Sequence, residues 1–392
     1  MYFDDFARLK ALFRFRPGRT RLDEAVDMIV LPFRSDVHGQ RWEGQGSCPS
    51  DEEAVAPTLA IADCEVSENA SFTYPVMLPA GSEKARSAIL LFHGLNEKSW
   101  DKYLPWARQL CVRTGKAVVL FPIAFHMNRA PAIWSNPREM SRAAAERQRR
   151  FGPIQSASFV NVALSTRLES HPERFILSGL ETYDDVVALL EQVRSGNHPC
   201  IGARASIDLF GYSIGAFLAE VLMLADPHRY FKDSRAFLFC GGSTLGDMAP
   251  VSRYILDGKA GAMLSSFFGG RFEEELSRES PLSRLFGRIQ SLGTIFRSLL
   301  DQESLKTFRE TRLRSIGRRI RALALAKDTV VPGPGVQATL SVGFPAGRSR
   351  VQVIDFPFPY RHENPFPLLE DFREEVSRSF ERVFTLAGDF LA

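Results

Sequence analysis

Residues Gly211-Tyr212-Ser213-Ile214-Gly215 read G-x-S-x-G, and their flanks constrain the chain more than any other segment. Residues 206–210 (Ser-Ile-Asp-Leu-Phe) are a short, mostly apolar run of buried-strand type. Residues 216–222 (Ala-Phe-Leu-Ala-Glu-Val-Leu) form helix readily and contain neither Pro nor Gly. A serine between such a strand and such a helix sits on a sharp turn with strained backbone angles, and the two glycines supply clearance. The strain lifts the hydroxyl out of the sheet, where it is exposed for attack on a carbonyl.

The same strand–helix alternation runs through the chain. Strands are expected at 71–78, 88–92, 117–122, 235–240, 321–326 and 351–356, and helices near 100–114 and 182–194. A closing helix is expected where Leu368, Leu369, Phe372, Val376, Phe380, Val383 and Phe384 repeat at helical period. Alternation of this kind implies an α/β fold, with a mostly parallel sheet covered by helices on both faces.

Three further landmarks lie at strand ends. The strand 88–92 runs into His93-Gly94-Leu95-Asn96. The strand 321–326 runs into Lys327-Asp328 and then the Pro-rich loop from Pro332. After the strand 351–356, Pro359-Tyr360-Arg361-His362-Glu363-Asn364-Pro365 cannot be regular structure, which places His362 in a loop. With these pieces, the chain from about Ser71 onward resembles the α/β-hydrolase superfamily. Two runs, 94–106 and 122–131, are similar to an uncharacterised bacterial subgroup of that superfamily, which carries no agreed activity. The H-G-G-G loop of some esterases is absent.

The resemblance implies the chain order nucleophile, acid, base. Only His228 and His362 follow Ser213, and His228 stands at the far end of the helix after the nucleophile. That leaves His362 as the base and Asp328 as the acid, with Asp247, one strand earlier, as second candidate acid. The three residue types answer a chemical need. A serine hydroxyl is a weak nucleophile at neutral pH, so a base must take its proton during attack. A histidine, with a reference pKa near ~6.5, accepts that proton and returns it to the leaving group. An aspartate fixes the imidazole tautomer and stabilises the imidazolium. The oxyanion hole is assigned to the backbone N–H groups of Leu95 and Ile214, and His93 is read as a packed structural residue.

Residues 1–70 carry no such landmark and form an N-terminal extension to a core at 71–243 and 320–392. Within it Phe3, Phe6, Leu9, Leu12 and Phe13 have helical spacing, which predicts a helix docked on its own core. Residues 41–57 read as a loop. One insertion, about 126–179, contains an Arg-rich helix at 137–150 whose charges form a solvated face. A second, 244–319, is expected to be a helical cap. Its apolar stripes, Leu282 to Leu299 and Leu305 to Ile320, pack on each other and on the core. A sharper expectation places Phe267, Phe268 and Leu292 in a substrate pocket.

Bulk properties narrow the function. A net charge of +3 over 392 residues gives no reason to expect nucleic acid. No apolar run reaches the ~18 residues of a membrane span, and the first residues lack the pattern of a signal peptide. The five cysteines (Cys48, Cys64, Cys111, Cys200, Cys240) are scattered, so reduced thiols and a cytoplasmic location are expected. No phosphate-binding G-x-x-x-x-G-K-[ST], no H-E-x-x-H and no clustered His/Cys set occurs, so neither cofactor nor metal is expected. The sequence therefore predicts a serine hydrolase of carboxylic esters, or a related acyl bond, acting on a small, apolar acyl substrate. A homo-oligomer stays open. The rival expectation is a non-catalytic binding or regulatory protein on the same fold.

Overall fold

A computed structural model describes residues 2–38, 48–49, 56–342 and 349–392. Most of the loop expected at 41–57 lies outside them. Among the described residues, nine strands form one sheet in the order β1-β2-β3-β5-β4-β6-β7-β8-β9. They are β1 (Gly18–Arg21), β2 (Val26–Arg34), β3 (Ser71–Pro79), β4 (Ala85–Phe92), β5 (Ala117–Leu120), β6 (Ile201–Tyr212), β7 (Ala236–Phe239), β8 (Ile320–Leu325) and β9 (Val351–Ile354). From β5 to β9 every neighbouring pair is parallel, while β1, β2 and β3 add an antiparallel edge. The architecture is the α/β-hydrolase fold.

The helices are α1 (Tyr2–Leu12), α2 (Ser67–Ala70), α3 (Tyr103–Thr114), α4 (Pro137–Phe151), α5 (Val162–Ser170), α6 (Arg174–Arg194) and α7 (Ile214–Ala225). Then follow α8 (Gly258–Ser266), α9 (Phe272–Ser277), α10 (Pro281–Arg288), α11 (Gln290–Ser298), α12 (Lys306–Ile316), α13 (Gly333–Leu340) and α14 (Arg373–Leu391). Among the described residues, no helix is long and apolar enough to cross a membrane.

Side chains alternate between the two faces of the sheet, as a pleated strand requires. Leu90, Phe92 and Leu209 point to one face and pack with Leu189 of α6, Phe217 of α7 and Ile295 of α11. Ile89, Leu91, Phe210 and Tyr212 point to the other, against Trp106 of α3, Phe384 of α14 and Tyr2 of α1. Strands buried on both faces can be apolar throughout, which is why β5 and β7 carry no polar residue.

Four features depart from the sequence expectations. First, the sheet does not start at Ser71: β2 pairs with β3 from Val26↔Pro79 to Arg34↔Ser71, so residues 18–34 belong to the core rather than to an extension. The apolar residues of β2 fall on both faces, so the run lacks the alternation of a half-buried strand, and Pro32 interrupts it. Second, α6 begins at Arg174, inside the range given to the first insertion. Third, the Arg-rich helix α4 is not wholly solvated. Arg147 is 1% exposed and sits between Asp257, 2.6 Å from its Nε, and Glu169, 2.5 Å from its Nη1. That pair joins the two insertions. Fourth, the long stripe 282–299 is two short helices, broken at Ile289. Helix α1 does dock on its own core, where the Tyr2 hydroxyl donates to Phe366 O at 3.2 Å.

Candidate active site

β6 ends at Tyr212 and α7 begins at Ile214, leaving Ser213 alone between them with φ 57° and ψ −121°. Such angles are costly for a residue with a side chain and persist only where neighbours hold them. The Ser213 N–H donates to Phe239 O of β7 at 3.1 Å, and Ser213 O accepts from Ala216 N–H at 2.9 Å. The glycines are required by space. A Cβ on Gly211 would lie 2.5 Å from Ala216 Cα and Gly215 O, and one on Gly215 would lie 2.5 Å from Phe92 O. The second contact shows how closely the elbow presses on the end of β4.

The parallel register brings the carboxyl ends of β6, β8 and β9 to one edge, and the side chains singled out from sequence meet there. His362 Nε2 is 2.7 Å from Ser213 Oγ, and His362 Nδ1 is 2.7 Å from Asp328 Oδ2. All three residues are at most 6% exposed. The Asp328 Oδ1 accepts the N–H groups of Val330 and Val331, both at 2.9 Å, which fixes the carboxylate in an acceptor role toward the ring. Nδ1 facing a carboxylate carries the proton, so Nε2 presents its lone pair to the serine hydroxyl. The two other candidates lie elsewhere. Asp247 accepts from the Thr244 hydroxyl at 2.9 Å and from Gln302 Nε2, and His228 is exposed beside Tyr230.

His93 is fully buried and satisfied at both nitrogens: Nε2 accepts from Ile123 N–H at 2.9 Å, and Nδ1 donates to Gly94 O at 2.8 Å. Burial first, and then neighbouring His126, hold its pKa well below the usual histidine range, so the ring is neutral. It anchors the loop that carries Leu95. Neither Leu95 N–H nor Ile214 N–H makes a hydrogen bond within the protein among the described residues.

Sequence reasoning missed the frame around these groups. Tyr212, next to the nucleophile, stacks its ring on that of His362 (centroids 5.6 Å apart, planes 17°), and its hydroxyl donates to His362 O. Lys102 lies over the same Tyr212 ring at 4.8 Å, donates to Glu363 O at 2.7 Å, and pairs with Glu97. Tyr103 donates to Glu97 at 2.9 Å and receives Gly94 N–H at 3.0 Å. One network thus ties the Leu95 loop to the His362 loop. The two links that join the loops, Tyr212 to His362 and Lys102 to Glu363, span 150 and 261 residues, so nothing local signals them.

Beside Leu95 and Ile214 lies an apolar cavity of about 70 Å³, further lined by Phe175, Phe217, Leu292 and Phe296. Phe268 packs on Phe175 with centroids 5.6 Å apart, but it borders a different cavity, of about 410 Å³, together with Met248 and Leu264. Phe267 lines neither. It is buried against Phe268 and Phe272 in the segment's own core. Of the three expected pocket residues, Leu292 alone borders the cavity next to Ile214. Among the described residues, no group of three or more His, Cys, Asp or Glu is arranged to hold a metal ion.

Comparison with known proteins matches residues 1–392 to a family described as "Family of unknown function (DUF6051)". No curated protein matches the sequence. Among solved structures, a cold-adapted esterase from an Arctic intertidal metagenomic library is 11% identical, with a TM-score of 0.38 over 95% of this chain and 99% of that one. Carboxyl esterase 2 of the mycorrhizal fungus Tuber melanosporum is 12% identical, with a TM-score of 0.44 over 82% of each chain. The hyperthermophilic esterase of the archaeon Pyrobaculum calidifontis is 12% identical, with a TM-score of 0.41 over 99% of this chain and 90% of that one. Such distant likenesses say nothing of substrate or site.

Proposed function

The chain belongs to the DUF6051 family, and we propose that it is a serine hydrolase that cleaves a carboxylic ester, or a related acyl bond, through an acyl-enzyme. The observation that carries this reading is the continuous line Ser213 Oγ–His362 Nε2–His362 Nδ1–Asp328 Oδ2, with 2.7 Å at each hydrogen bond. It starts from a serine held at φ 57°. A buried polar line of this kind, at the carboxyl ends of three parallel strands, is costly to build unless it is used.

In the proposed reaction Ser213 Oγ attacks the substrate carbonyl carbon while its proton passes to His362 Nε2. The carbonyl oxygen becomes an alkoxide held by Leu95 N–H and Ile214 N–H, each worth roughly 3 kcal/mol in a comparable site. His362 returns the proton to the leaving alcohol oxygen, the C–O bond breaks, and an acyl-Ser213 ester remains. Water then attacks that ester by the same route and releases the acid. Of the 244–319 segment, α11 reaches the apolar cavity beside Ile214 with Leu292 and Phe296, which supports reading the segment as a cap over a small to medium apolar acyl group. A panel of esters, thioesters and lactones, run on wild type and Ser213→Ala, tests the reading. Turnover of at least one ester class that is lost in Ser213→Ala supports it. Equal turnover by both proteins removes Ser213 from the role.

A further inference from the structure

Two buried histidines stand side by side near the proposed oxyanion hole, with ring centroids 5.4 Å apart, and they differ in one respect. His93 has both nitrogens engaged. His126 has one. Its Nδ1 lies 2.9 Å from Ala124 O, and a carbonyl oxygen only accepts, so Nδ1 carries the proton. Nε2 is then a bare lone pair, and among the described residues it has no partner. The residue is 6% exposed, so an unpaired acceptor there costs free energy that an apolar side chain would not. Protonation does not relieve it. Burial, and then the charges of Lys98, Arg167 and Arg129, push the His126 pKa down to about 4. The backbone holds the residue in place: His126 N–H donates to Ile123 O at 3.1 Å, and His126 O accepts from Arg129 N–H at 2.8 Å.

His126 lines the same cavity as Leu95 and Ile214. The rest of that wall is dominated by apolar side chains such as Ile123, Leu180, Phe217 and Phe296. The carbonyl under attack has two substituents, and chemistry assigns them to different sides. The leaving oxygen must sit at His362 Nε2 to receive its proton. No residue of the His362 loop, 359–366, lines the cavity. The cavity therefore takes the other substituent, the acyl chain.

We propose that His126 is a specificity-determining residue whose Nε2 accepts a hydrogen bond from a hydroxyl on the acyl chain, so that the substrate class is esters of hydroxyacyl chains rather than plain fatty acyl esters. This rests on the reading of Ser213 as nucleophile. A site that holds an open acceptor discriminates strongly against a substrate that cannot fill it, because the acceptor then stays buried and unpaired.

The test uses p-nitrophenyl esters of short straight-chain acids and of the same acids bearing one hydroxyl at each successive carbon. In wild type, one hydroxyl position should raise kcat/KM about 10-fold or more over the plain ester. In His126→Phe that ratio should fall to about one or below, with the plain ester improved. A ratio of one or less at every position in wild type overturns the inference, and so does a preference that survives in His126→Phe. If His126→Phe fails to fold, His126→Asn takes its place. A second arm works without turnover. Calorimetry on Ser213→Ala compares the free hydroxy acid with the plain acid, and ¹⁵N-histidine NMR follows Nε2 of His126. Tighter binding of the hydroxy acid with a shifted Nε2 resonance supports the assignment, and equal binding with an unmoved resonance overturns it. Loss of all turnover, with the binding preference intact, would sink the hydrolase reading and leave the His126 site standing.

Discussion

The two faces of the sheet are built differently. On one, α3 and α14 are closed by aromatic packing. Trp106 sits 5.0 Å from Tyr103, 5.1 Å from Tyr212 and 5.6 Å from Phe384, centroid to centroid. On the other, α7 packs on short helices broken at Gly270 and Ile289, and two cavities border them: Leu292 and Phe296 line the apolar one, Leu264 and Phe268 the other. Among the described residues, His126 Nε2 and both oxygens of Glu220 lie on that face without a partner, as the indole N–H of Trp106 does on the first. The first face fixes Tyr212, and with it the backbone of the elbow. The second leaves space, bordered by His126, beside Leu95 and Ile214. If the proposed site is right, stability rests on the first face and selectivity on the second, and this division can be broken by mutation.

The largest effect is expected where the two faces meet. Asp328→Asn should lower kcat by about 10⁴-fold, as loss of the tautomer-fixing acid does in a comparable triad, with little change in KM. Steady-state kinetics on the best ester checks it, and a small effect would mean that Asp328 only caps its loop through Val330 and Val331. Next, Trp106→Ala should cost about 3–5 kcal/mol of stability, read by urea unfolding. A loss below ~1 kcal/mol would remove the contrast in packing between the faces.

The open face carries a pH signature. Burial raises the Glu220 pKa to about 8, with Arg309 opposing, while the unfolded value is 4.5. Its folded pKa is raised, so its contribution to stability is fully present below pH 4.5 and is lost as pH rises through about 8. Glu220→Gln should flatten that decline and leave the protein more stable at pH 9, by an amount on the order of a few kcal/mol. Parallel unfolding midpoints of wild type and variant across pH 5–9 would show that Glu220 has a partner in solution. The smallest effect concerns chain length. Leu292→Ala should change the dependence of kcat/KM on acyl length by up to about fourfold per methylene, since ~0.8 kcal/mol accompanies each buried CH₂. It should leave acetate turnover nearly unchanged. Equal effects on acetate and longer esters would move the acyl chain to another cavity.

What could be read from sequence follows this division. The elbow announced itself because Gly211, Ser213, Gly215 and their flanks all act locally on one turn. His362 and Asp328 were legible because each lies in the loop after a strand whose apolar run is self-evident, and the structure brings them into one line with Ser213. β2 was not legible, since residues buried on both faces give no alternation and Pro32 argues against a strand. Phe267 was misplaced because sequence shows that a phenylalanine is apolar but not which way a broken helix turns it. Lys102, Glu97 and Glu363 gave no signal at all, since a network across three loops exists only after the chain has folded. The division of labour between His93 and His126 is of the same kind, settled by Ile123 N–H reaching one ring and not the other.

The central claim is that Ser213 is a nucleophile activated by His362. Its most direct test is to treat the purified protein with a fluorophosphonate and find the modified peptide by mass spectrometry. The account predicts one adduct, on Ser213, absent in Ser213→Ala and strongly slowed in His362→Ala. No adduct on the folded wild type, or equal labelling of wild type and Ser213→Ala, would contradict it.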